Sequence, residues 1–178
     1  MNSIRIWENK WQQFNSSPYS SGSPVPASIS EIFHLYEEYL VFKTLQLNHG
    51  MKVLDIGAGA GRWTVSFAPR VGKIIAIEPT PSFRILKNNT VDFANVECVN
   101  ISFSEYETDE KFDLIIISGV LMYLNEQGEY NTFLLKALGM IAPSGHLILR
   151  EPVGRNKKRK KIGEILKRDE PDCIEQME

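Results

Sequence analysis

At 178 residues the chain is long enough for one domain with a real core and too short for two full ones. Its 43% hydrophobic and 24% charged residues are an ordinary globular balance. A formal net charge of −2 argues against a dedicated nucleic-acid binder, which carries a strong basic excess, while leaving room for a local basic patch.

The opening MNSIRIWENKW lacks the apolar stretch that follows the basic start of a signal peptide. No apolar run approaches the ~20 residues of a membrane helix, so a reducing, cytoplasmic setting is the expectation. Residues 1–28 form an arm rich in Ser, Pro, Gly and Asn, with Trp7, Trp11, Phe14 and Tyr19 interspersed. So many large rings favour a lid over a substrate, with packing on the domain surface as the other reading. Ser28 and Glu31 have the spacing of a capping box ahead of an amphipathic helical run from Ile29 to Leu47. Asn48, His49 and Gly50 then stop it.

From residue 51 short apolar runs alternate with helical ones. Met51 to Ile56 reads as a buried strand, Gly57 to Gly61 as a loop, and Arg62 to Arg70 as a helix. Lys73 to Glu78 is a second strand; Thr80 with Pro81 then caps a helix running to about Asp92. Val96 to Asn100 is a short third strand, and Cys98 within it reads as a small buried hydrophobe. Cys98 and Cys173 fit no zinc spacing and no disulfide framework, and no metal site is expected. Phe112 to Ser118 is a fourth strand, Gly128 to Ile141 a helix, Ala142 to Gly145 a turn, and His146 to Glu151 a fifth strand. Continuous Val/Ile/Leu strands separated by helices imply a doubly wound, mostly parallel α/β sheet covered on both faces, occupying residues 29–152. Residues 153–178 form a tail opening on the basic run RNKKRKK, read as a solvated, disordered or helical segment.

The strongest local signal is VLDIGAGAGRWT, Val53 to Thr64. A buried strand runs into glycines at 57, 59 and 61, and a helix follows at once. Such a loop turns sharply and lets a ligand approach the backbone closely. The dinucleotide fingerprint G-x-G-x-x-G requires glycine at position 62, where this chain has Arg62, which argues against a nicotinamide-dependent oxidoreductase.

The spacing D-x-G-x-G-x-G after an apolar strand resembles the first motif of the class I, Rossmann-like methyltransferases that use S-adenosylmethionine. The resemblance covers roughly residues 30–152. It implies that Asp55, Gly57, Ala58, Gly59 and Gly61 hold the methionine part of the cofactor. It also implies that Glu78, with Pro79 beside it, accepts the ribose hydroxyls. Asn100 and Ile101 stand where the family usually has Asp and a ring-contacting N–H, and Asn100 can accept the adenine amino group through its side-chain oxygen. Ser118 and Gly119, leading into Val120 to Leu124, match the segment beside the transferred methyl group. That segment lacks the Asn/Asp-Pro-Pro-Tyr/Phe signature of amino-methylating DNA enzymes and their glutamine-modifying relatives and the Pro-Cys pair of cytosine C5 enzymes, which leaves the broad group acting on small molecules, with some protein-acting members.

Ligands in open α/β sheets sit beyond the carboxyl ends of the strands. His146 and His49 fall at the opposite end, whereas Tyr123 and Glu151 fall at the right edge and are the candidate catalytic residues. His34 lies on the helix that in this family often covers the pocket. Members of the family normally carry two further strands after the fifth, and only 27 residues follow Glu151 here. A fifth strand left as an edge invites a partner, a second copy or the tail to cover it. The alternative function is therefore a catalytically silent, cofactor-binding or regulatory module; a nucleic-acid methyltransferase using the basic run is a further option.

Overall fold

The structure, a computed structural model, describes residue 18 and residues 27–124 and 127–151. Trp7, Trp11, Phe14 and Tyr19, the basic run and Cys173 lie outside the described residues. The frame is a five-stranded sheet: β1 Lys52–Ile56, β2 Lys73–Ile77, β3 Val96–Val99, β4 Phe112–Ser118 and β5 Ile141–Arg150. All four pairings are parallel, in the order β3-β2-β1-β4-β5. The chain starts at β1, steps outward to β3, then crosses to β4 and steps outward to β5. The crossing leaves a crevice between the carboxyl ends of β1 and β4, where loops leave in opposite directions.

Unbroken apolar runs suit strands covered on both faces, and β1, β2 and β4 are buried almost throughout. Alternation sorts their side chains into two layers. Leu54, Ile56, Ile115 and Ile117 face one cluster, closed by Leu134, Ala137 and Met140 of the helical layer. Val53, Leu114 and Ile116 face the other, closed by Trp63 and Phe67, with Val41 and Phe42 packed against it. The covering helices are α1 Ala27–Thr44, α2 Arg62–Phe67, α3 Phe83–Asn89 and α4 Gln127–Gly139.

Several boundaries differ from the sequence expectation. α1 is already under way at Ala27 and ends at Thr44, so Ser28 sits within its first turn and does not cap it. α2 gives way at Phe67 to a tighter 3-10 turn, Ala68–Arg70, because Pro69 lacks the N–H that an α-helix would use. α3 starts at Phe83 rather than at Pro81: Thr80 and Pro81 first form a turn whose carbonyls accept from Phe83 and Arg84. It ends at Asn89, where the Thr90 hydroxyl folds back onto the Leu86 carbonyl. The expected turn at residues 142–145 is absorbed into β5 as an irregularity. Phe112 pairs with Ile141 but Leu114 pairs with His146, and Ser144 takes a φ of 63° to accommodate the extra residues. Cys98 is half-buried on the edge strand β3, its sulfur 3.3 Å from the Thr90 hydroxyl, rather than sealed in the core. No helix among the described residues is long and apolar enough to cross a membrane.

Candidate active site

The crevice is built first by the turn out of β1. Gly57, Gly59 and Gly61 all have positive φ (70°, 59° and 91°). At Gly57 a side chain is excluded twice over, because a Cβ there would lie 2.5 Å from Val120 Cγ2. The loop after β4 therefore rests directly on the loop after β1.

The hydrogen bonding of the glycine loop discriminates between ligand classes. Gly57 and Ala58 both donate to the Ile77 carbonyl (2.8 and 3.0 Å), Gly59 donates to Glu78 Oε2 (2.8 Å), and Gly61 donates to the Ala58 carbonyl (2.9 Å). Four of the five N–H groups from Gly57 to Gly61 are thus engaged within the protein. A pyrophosphate needs those donors. Among its carbonyls, Ala58, Ala60 and Gly61 accept from Gly61, Asn89 and Val65, which leaves those of Gly57 and Gly59 as partners for a cation.

Asp55 is buried at the end of β1, and its Oδ2 accepts the Thr64 hydroxyl at 2.6 Å. Burial pushes its carboxyl up to about 6, and the bond from Thr64 and the charge of Arg62 resist that only in part. Glu78, buried one residue past β2, holds Gly59 with Oε2 and the Thr80 N–H with Oε1 (2.8 Å). Each of its oxygens keeps a second lone pair for a ligand hydroxyl. Pro79 next to it is exposed. Asn100, just past β3, spends an amide hydrogen on the Glu78 carbonyl (2.7 Å), so its side-chain oxygen is the group it brings to the crevice, with half-buried Ile101 beside it.

Ser118 ends β4, and Gly119 follows with a φ of 71° and open space where a Cβ would point. Arg62, the residue after the glycine motif, reaches across to the Ser118 hydroxyl at 3.3 Å. Beyond it lies Glu151, whose Oε1 accepts the N–H groups of Val120 (2.7 Å) and Leu121 (2.9 Å). Burial raises the Glu151 carboxyl above its ordinary range despite these bonds. Tyr123 is half-buried, and burial followed by the Glu151 and Glu78 carboxylates pushes its phenol up to about 12. It therefore stays protonated at neutral pH and can donate a hydrogen bond but not serve as a base.

The structure brings every cofactor-side residue expected from sequence to the carboxyl edge of the sheet, together with Tyr123 and Glu151. His146 pairs with Leu114 on the far side of the strand ends, and His49 lies in the turn before β1. Sequence reasoning placed His34 on the covering helix but missed the rest of a polar roof under α1. His34 is fully buried, shares a hydrogen bond with the Ser66 hydroxyl (2.8 Å) and stands edge-on to Trp63 at 4.6 Å. Its pKa falls to about 3, chiefly through burial and then through Arg62 and Arg150, so the ring is neutral. Glu37 accepts from Arg150 Nε at 2.9 Å. The position of Arg62 straight after the glycines was a visible signal; Glu37 and Arg150, 113 residues apart, gave none. No group of three His, Cys, Asp or Glu among the described residues could hold a metal ion.

Residues 54–147, slightly more than half of the chain, match the family described as "Methyltransferase domain". The chain is 25% identical over 118 residues to Nodulation protein S of Sinorhizobium fredii, covering 65% of this chain and 55% of that protein. It is 32% identical over 119 residues to Phosphoethanolamine N-methyltransferase 3 of Arabidopsis thaliana, covering 62% of this chain and 24% of that protein. Against these curated relatives the chain thus spans between about a quarter and about half of their length. Its fold superposes with a TM-score of 0.68 on N-methyltransferase NodS from Bradyrhizobium japonicum WM9, solved in complex with S-adenosyl-l-homocysteine. That match has 22% identity and covers 83% of this chain and 71% of that one. A parallel sheet in the order β3-β2-β1-β4-β5, a glycine turn out of its first strand and the family match over its length agree: the chain belongs to the methyltransferase-domain family.

Proposed function

We propose that the chain binds S-adenosylmethionine in the crevice and transfers its methyl group to a small-molecule acceptor. The observation that carries this reading is the glycine loop, which spends four of its five N–H groups internally and has only the Gly57 and Gly59 carbonyls outside its hydrogen bonds to Gly61, Asn89 and Val65. Those two carbonyls suit the ammonium of an amino acid and not a pyrophosphate. The residues present fit such a ligand along its length. The loop from Gly57 to Gly61 would take the methionine part, with the buried Asp55 carboxylate behind it. Glu78 would take the ribose hydroxyls, and Asn100 and Ile101 the adenine. The open space at Gly119 and the groups Ser118, Tyr123 and Glu151 would line the side of the methyl group.

A sulfonium supplies a methyl carbon already activated toward displacement. The protein's work is alignment, and holding reactants in line can contribute on the order of 7–11 kcal/mol. The contact of Val120 with Gly57 fixes the acceptor-side loop against the cofactor loop, and Glu151 fixes it from behind. Tyr123, which keeps its proton, can orient an acceptor lone pair. A small acceptor is named for one of the relatives, a phosphoethanolamine N-methyltransferase.

The test is transfer of labelled methyl from S-adenosylmethionine into a cell extract divided by size. Label in the low-molecular-mass fraction, lost with Glu78→Ala, is the expected result. Label in protein or RNA would contradict the acceptor class. Cofactor binding without any transfer would support the silent-module alternative.

A further inference from the structure

A methionine end is a zwitterion, and the glycine loop answers only one of its two charges. The carbonyls of Gly57 and Gly59 and the buried Asp55 carboxylate suit the ammonium. The carboxylate needs donors instead, and of the N–H groups from Gly57 to Gly61 only that of Ala60 is not engaged among the described residues. One N–H cannot satisfy two carboxylate oxygens set beside Asp55 and Glu78. A cation from outside the loop is required.

Arg62 is placed to be that cation. It follows Gly61 directly, and its guanidinium crosses from the loop after β1 to Ser118 at the end of β4. The group therefore lies over the gap between β1 and β4, where the crevice is, and it is half-buried. A guanidinium has five N–H donors. Among the described residues Arg62 spends one of them, on the Ser118 hydroxyl at 3.3 Å, and forms no ion pair. The other arginine at this corner is committed: Arg150 Nε holds Glu37 at 2.9 Å, and that side chain is 44% exposed. Burial, followed by the charge of Arg150, works against the ionised form of Arg62, and Glu37 and Asp55 offset this only in part. A carboxylate laid against Arg62 supplies the missing counter-charge, in a two-pronged geometry that suits a planar guanidinium.

Resting on the cofactor reading above, we propose that Arg62 binds the carboxylate of the amino acid end of S-adenosylmethionine, so that loop carbonyls and guanidinium together select a zwitterion. Arg62 then determines which sulfonium nucleosides the crevice accepts. Through Ser118 it also ties the cofactor loop to the side of the methyl group.

The probe is decarboxylated S-adenosylmethionine, which keeps the sulfonium, the methyl group and the ammonium and lacks only the carboxylate. Full-length chain is titrated calorimetrically with it and with S-adenosylmethionine. The unmodified chain should favour S-adenosylmethionine by roughly 10- to 100-fold, the scale of a charge-assisted, two-pronged bond. A crevice whose charge were set by Asp55 and Glu78 alone would do the reverse, since the decarboxylated ligand carries one more net positive charge. Arg62→Met should erase the preference by weakening S-adenosylmethionine without weakening the decarboxylated ligand, which also reports an intact fold. Arg62→Lys, which keeps the charge without the fork, should recover part of the preference. No preference in the unmodified chain, or one that survives Arg62→Met, would overturn the proposal. Equal weakening of both ligands in the two variants would leave Arg62 as a brace for Ser118 and overturn it too. Failure of both ligands to bind the unmodified chain would instead overturn the cofactor reading, and this one with it.

Discussion

At the scale of single residues, the crevice contains two buried groups whose protonation opposes the usual balance. Asp55 has its carboxyl raised from 3.8 to about 6, so the folded chain binds a proton that the unfolded chain has released across that interval. Stability contributed through Asp55 therefore falls as pH rises from about 4 to about 6 and stays low above. His34 acts the other way: with its pKa lowered from 6.5 to about 3, its contribution is complete above about 6.5 and is lost as pH falls. The two oppose each other over the shared interval. Asp55→Asn should isolate the His34 contribution. Its stability gain over the unmodified chain should be near zero at pH 4 and grow to on the order of 2–3 kcal/mol by pH 6 to 7, read from urea midpoints. A gain that shrinks with rising pH would contradict the assignment. Glu78 could be picked from sequence because it ends a strand about twenty residues past the first glycine, and Asp55 because it matches the motif of the resembling family. The burial that perturbs Asp55 could not, because it depends on Thr64, Arg62 and the roof above them.

At the scale of elements, the site is a contact between two loops held by one carboxylate. Gly57→Ala should cost about 1–2 kcal/mol from its positive φ alone, with a further loss from the collision with Val120. Val120→Ala in the same chain should recover the collision part and leave the backbone part, so the two changes should couple in a double-mutant cycle. Additive losses would mean that the loops do not touch as described. The strands were legible because β1, β2 and β4 are unbroken apolar runs. Helix ends were less so, since Thr80-Pro81 reads as a cap although the helix is delayed to Phe83. α1 was legible as a helix, but the face it turns inward was not. It turns Ser30 and His34 inward over the crevice and leaves Ile32, Phe33 and Tyr36 more than 60% exposed. Val41 and Phe42 farther along pack on the core, so the helix was legible from its apolar period, but its polar first half was not, because that face is chosen by Ser66, Trp63 and Arg150 elsewhere in the chain.

At the scale of the whole molecule, the sheet carries the stability and its carboxyl edge carries the chemistry. Phe67, fully buried beneath β1 and β4, packs against Trp63 and Phe42. Phe67→Ala should cost about 3–5 kcal/mol, whereas Ile32→Asn on the outer face of α1 should change stability by less than about 0.5 kcal/mol. Similar losses from both, measured by denaturant unfolding, would contradict the burial pattern. The doubly wound topology was legible as a whole because parallel strands and right-handed crossovers leave few alternatives. The central claim is that this sheet presents a glycine loop built for a cationic amino acid group rather than for a pyrophosphate. Calorimetric titration of the full chain with S-adenosylhomocysteine and with NAD tests it most directly. The account predicts saturable binding of S-adenosylhomocysteine, weakened by Glu78→Ala, and none of NAD. Binding of NAD, or no binding of S-adenosylhomocysteine to the folded chain, would contradict it.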